Sequence, residues 1–66
     1  MNIVYAAEKA SIAVLLSEYV KRQVRPEELR VSENPEQTGS FFIGFDLEHY
    51  VLAPDGRIRV DRFHRA

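Results

Sequence analysis

Two pairs of side chains in this sequence have the types and spacing for chemistry, His49 with Asp61 and Asp46 with Glu48. The first is a candidate acid–base dyad. If the two residues face each other across a hairpin, the carboxylate can orient the imidazole and raise its basicity, as a general base requires. The second is a candidate divalent-cation site, since alternate strand residues point to one face. Neither pair is complete. No serine or cysteine nucleophile is set beside His49 by the sequence, no glycine-rich phosphate loop occurs, and two carboxylates make a poor cation site. The simpler expectation is an exposed cross-strand pair and two solvated carboxylates, with no catalytic residue, metal ligand or cofactor site.

The elements that must position these groups follow from one well-marked turn, Ala53-Pro54-Asp55-Gly56-Arg57. Pro54 presets φ for the first turn position, Asp55 suits the second, and Gly56 can take the left-handed conformation of a bulged type I turn. This fixes a hairpin register in which Leu52 faces Ile58, Tyr50 faces Val60 and Glu48 faces Arg62. Val51 then faces Arg59, His49 faces Asp61 and Leu47 faces Phe63. The even positions form a mainly apolar face. Before the hairpin, in Phe41-Phe42-Ile43-Gly44-Phe45, the heavy apolar positions are odd and run on to Leu47. A regular strand cannot change parity and keep one core face. A β-bulge or a tight turn must therefore intervene near Asp46-Leu47-Glu48. The lack of Gly, Pro or Asn there favours a bent or bulged long strand.

Upstream, about Tyr5 to Val24 reads as one helix, free of Gly and Pro and rich in Ala, Leu, Glu and Lys. Tyr5, Ile12, Leu16, Tyr19 and Gln23 or Val24 form its main apolar stripe. Lys21, Arg22 and Arg25 fall in its last turn, where they complement the helix dipole, and Pro26 marks its end. Leu29-Arg30-Val31 reads as a short strand, or Pro26-Glu27-Glu28 opens one more helical turn. Ser32 to Ser40 is a loop. The expected fold is one α+β domain over residues 1–66, a long N-terminal helix on a three-stranded antiparallel sheet (α-β-β-β), with the middle strand bent near Asp46-Glu48.

Composition narrows the function classes. A chain of 66 residues holds one small core, and chains below about 70–80 residues usually need extra support. There are no cysteines and only two histidines, so a disulfide framework or structural zinc site is not expected, and oligomerisation or a bound partner becomes the leading way to add buried area. No segment reads as a secretion signal or membrane span, because the run Ile12-Ala13-Val14-Leu15-Leu16 is too short to cross a bilayer. A cytoplasmic setting without membrane contact is expected. The net charge of −1 selects no partner, but it is unevenly spread: residues 27–55 are acidic, while Arg57, Arg59, Arg62 and Arg65 close the chain.

Ala13, Val14 and Leu15 lie outside the main helical stripe, so the middle of the helix is apolar on several sides, more than one small sheet can cover. These features point to a non-enzymatic protein-binding module, a regulator, inhibitor or accessory subunit acting as a homodimer on a protein partner. The expected contact residues are Val14 and Leu15 on the helix and Val51, Arg57, Arg59 and Phe63 on the exposed hairpin face. The alternative is a reader of RNA or single-stranded nucleic acid, using the hairpin arginines with the sheet aromatics as stacking surfaces. The acidic balance of the chain counts against it.

Overall fold

The computed structural model describes residues 6–61, with side chains from Glu8 onward. Helix α1 spans Ala6–Val20 and buries Ile12, Ala13 and Leu16. Ala13 therefore belongs to the core rather than to a second exposed side. Its small side chain lets the helix sit close on the sheet. Tyr5, the expected first helical residue, lies outside the described residues.

The helix stops four residues earlier than expected. Lys21 takes the left-handed conformation at φ +64°, and the N–H groups of Lys21 and Arg22 both donate to the Ser17 carbonyl, at 3.0 and 3.3 Å. Those are the bonds of a left-handed helix cap, a position that usually takes glycine and that costs lysine about 1 kcal/mol. Lys21, Arg22 and Arg25 thus follow the helix instead of forming its last turn. The Ser17 hydroxyl completes the reversal, donating to the Ala13 carbonyl at 2.7 Å and accepting the Val24 N–H at 2.9 Å. With its amide satisfied, Val24 can turn its side chain into the core.

Both readings of the next segment are realised in sequence. Pro26–Glu28 forms a 3-10 turn, with Pro26 at its first position and the Glu28 carboxylate accepting the Arg25 N–H at 2.9 Å. Strand β1, Leu29–Glu33, follows directly. The loop after it is tied by the Asn34 carboxamide, which accepts the Glu36 N–H, and by the buried Ser40 hydroxyl, which donates to the Leu52 carbonyl at 3.0 Å.

Strands β2 (Phe41–Phe45), β3 (Glu48–Leu52) and β4 (Ile58–Val60) complete an antiparallel sheet of four strands in the order β1-β2-β3-β4. The expected long, bent middle strand is two strands joined by a two-residue turn. Phe45 pairs with Glu48, Ile43 with Tyr50 and Phe41 with Leu52, and Asp46-Leu47 forms the turn. In this register each odd residue of β2 faces an even residue of β3, which is the parity change the sequence displays. Asp46 supplies the positive φ (+58°) that a tight hairpin needs, one of the few non-glycine residues that tolerate it. Leu47, counted with the core by its parity, projects from the turn at 92% exposure.

The second hairpin forms as expected. Tyr50 pairs with Val60, Val51 with Arg59 and Leu52 with Ile58, and the Asp61 N–H donates to the His49 carbonyl at 2.8 Å. Gly56 sits at φ +91°, and the Asp55 carboxylate accepts the Arg57 N–H. The helix-facing side of the sheet carries Leu29, Ile43, Phe45, Tyr50 and Leu52, which close on Ile12, Ala13, Leu16 and Val24. Val31, Phe41, Ile58 and Val60 border this cluster.

Candidate docking surfaces

The fold leaves two surfaces, the flank of α1 beside the sheet and the sheet face away from the helix. On the helix, Val14 is 61% exposed, Leu15 37% and Tyr19 43%. Leu15 and Tyr19 are four residues apart and so lie one above the other. Tyr19 is held edge-on to Tyr50, with ring centroids 5.9 Å apart. Burial and the nearby Glu48 carboxylate raise the Tyr50 phenol above its ordinary pKa. Leu15 separates two open grooves. The one toward the N-terminal end, of about 430 Å³, is walled by Ile12, Phe41 and Leu52 and rimmed by Glu8. The one toward the C-terminal end, of about 520 Å³, lies among Tyr19, Ile58 and Gly56 and is rimmed by Glu18 and Lys21. Val14 points away from both.

The outer sheet face is ordered in rows by the pairing register. One row runs Arg30, Gly44, His49, Asp61 across the four strands, and the next runs Ser32, Phe42, Val51, Arg59. Gly44 makes a notch in the first row. The Arg30 guanidinium lies against it so closely that an added Cβ would come within 2.9 Å of Nη2 and 3.0 Å of Nε. Arg30 Nη2 donates to the Asp46 carbonyl at 3.3 Å. Nearby, Arg22 lies over the Phe45 ring at 4.9 Å and reaches the Asp46 carboxylate at 3.8 Å, so two arginines hold the β2–β3 turn.

The contact residues named from sequence are dispersed over these surfaces. Val14 and Leu15 are exposed, but only Leu15 borders the grooves. Arg57 and Arg59 are exposed on the second hairpin, with Arg57 3.6 Å from Asp55. Val51 lies on the outer face between Phe42 and Arg59, yet it is 6% exposed and offers almost no contact area of its own, contrary to its reading as an exposed residue. Phe63 lies outside the described residues. Tyr19, placed by its spacing in the main apolar stripe, is instead partly exposed, because the sheet beneath covers only one side of its ring. Arg30 and Gly44 were missed as well, although an isolated glycine inside a strand does signal a close approach.

His49 and Asp61 are neighbours in the outer row, as the turn predicts, and both line the notch. Ser32 lines it too, but from β1, two strands from His49, which is about 10 Å at ordinary strand spacing. That exceeds the reach of a nucleophile–base hydrogen bond. Asp46 and Glu48 flank the turn residue Leu47, and among the described residues no three His, Asp or Glu side chains gather as a metal site. Among those residues no helix is long and apolar enough to cross a membrane.

The class this fold defines is α+β, one helix laid across a four-stranded antiparallel meander. Comparison with protein-family models, with curated proteins and with solved structures finds no match for the chain.

Proposed function

We propose that this chain is a small protein-binding module without chemistry of its own, working as a homodimer, and that two copies meet on the Leu15 flank of α1. The observation that carries this reading is the self-complementarity of that flank. A helix rises about 1.5 Å per residue, so Tyr19 lies about 6 Å to one side of Leu15, and Ile12 and Ser11 lie about 4.5 and about 6 Å to the other. On a two-fold axis through Leu15, each half-exposed Tyr19 therefore meets the apolar groove beside Ile12 of the second copy. This is the reciprocal contact that an isologous interface requires. The rims match as well. Glu8 lies about 10 Å before Leu15 and Lys21 about 9 Å after it, so each Glu8 approaches the Lys21 of the second copy, with Glu18 on the same rim nearer the axis. Association of this kind adds the buried area that a chain of 66 residues otherwise lacks.

A further protein partner would dock on the outer face of the second hairpin through Arg57 and Arg59, while Gly56 and Ile58 of the same hairpin border the groove at the dimer flank. This reading places the chain in the cytoplasm. Nucleic-acid binding is less well supported. Phe41, Phe45 and Tyr50 turn toward the helix side, and of the described sheet aromatics Phe42 alone lies on the outer face, half-buried.

Charge reversal tests the interface. Glu8→Lys and Lys21→Glu should each weaken self-association several-fold, since exposed ion pairs are worth about 0.2–1 kcal/mol and two are inverted per dimer. The double variant should regain most of the loss, measured by sedimentation with circular dichroism as the folding control. A double variant no better than the weaker single would rule out the antiparallel arrangement.

A further inference from the structure

The outer sheet face carries a second feature, independent of the helix flank. The notch at Gly44 has a volume of about 140 Å³, room for a few water molecules or one small ion. We infer that it is a binding site for a small oxyanion of phosphate size, held mainly by Arg30. A guanidinium has five N–H donors in a planar fork. Among the described residues, Arg30 makes one hydrogen bond, at 3.3 Å to a neutral carbonyl, and has no carboxylate within ion-pair distance. Arg22, Arg25 and Arg57 each have an acidic partner, and Arg59, which like Arg30 has none among the described residues, is exposed in the next row and does not line the notch. Arg30 instead lies on the Cα of Gly44, in the space a side chain would fill, with its fork beside the notch.

The neighbours suit an oxyanion. His49 is the next residue in the row beyond Gly44, and the Ser32 hydroxyl stands on the same edge as Arg30. Half-buried Phe42 forms an apolar wall. Asp61 also lines the notch, at the strand farthest from Arg30. Its carboxylate opposes negative charge, which favours a compact anion seated at the Arg30 end over an extended one. Glycine is what makes this arrangement possible, because any larger residue at position 44 pushes the guanidinium out and fills the notch.

The test is a titration of the whole chain with inorganic phosphate against chloride at constant ionic strength, followed by amide chemical shifts. The site predicts saturable shifts at Arg30, Gly44 and His49. Binding should weaken about tenfold or more in Arg30→Gln, as expected for loss of a charge-assisted contact. It should also be lost in Gly44→Ala, a change that displaces only the end of a flexible side chain, and be retained in Arg57→Gln. Phenyl phosphate in a parallel arm separates the sources. Tighter binding than phosphate means that the phosphoryl group arrives on an aromatic carrier packed against Phe42, and equal binding means a free anion. Shifts that do not saturate, that survive in Arg30→Gln, or that weaken equally in Arg57→Gln would overturn the site.

Discussion

Leu16→Ala is expected to remove a third or more of the stability of the fold, the largest loss from any single side-chain truncation in α1. Leu16 is fully buried at the centre of α1, among Ile12, Ala13 and the apolar side of the sheet. Truncating a buried leucine removes its transfer free energy and leaves a cavity that the surroundings close only in part, a loss of about 3–5 kcal/mol. At about 0.05–0.15 kcal/mol per residue, a domain of this size has roughly 3–10 kcal/mol in total. One substitution therefore consumes a third of that stability or all of it. Urea denaturation followed by far-ultraviolet circular dichroism reads the change. A loss below about 1 kcal/mol would mean that the helix does not pack on the sheet through this residue.

The second large effect is on association. Leu15→Asp should raise the dimer dissociation constant about 100-fold or more while leaving the monomer folded. Leu15 is partly exposed in the single chain, so an aspartate there stays hydrated and its cost to the fold is small. At the proposed two-fold axis the two carboxylates would be brought together and stripped of water, a penalty of about 3 kcal/mol or more. Val14→Asp is the contrast. Val14 is the more exposed residue but points away from both grooves, and its change should shift the constant by less than about tenfold. Equal effects at the two positions would move the interface to the top of the helix, away from the sheet.

The two hairpins show why part of this fold can be read from sequence and part cannot. Pro54-Asp55-Gly56 specifies its turn through fixed φ values, so the register from Tyr50 to Val60 follows from three residues. Asp46-Leu47 has no such signature. Its location is legible from the parity change, but its form is not, because an aspartate at φ +58° looks like any strand aspartate in sequence. Arg22 and Arg30, which hold Asp46 in that conformation, come from distant segments. Lys21 is a similar case, since its left-handed cap depends on the bonds at Ser17 rather than on a glycine. The helix flank was half legible. Leu15 stands out as apolar residue beyond the main stripe, while Tyr19 fits the core period, and only the path of the sheet beneath reveals that it is partly uncovered. The Gly44 notch needed three strands in register before Arg30 and His49 became neighbours.

Sedimentation equilibrium of the unaltered chain across a dilution series tests the central claim most directly. A self-complementary Leu15 flank predicts a reversible monomer–dimer equilibrium, with the mass of two chains at high micromolar concentration falling toward that of one on dilution. A single-chain mass held throughout, up to near-millimolar concentration, would contradict it.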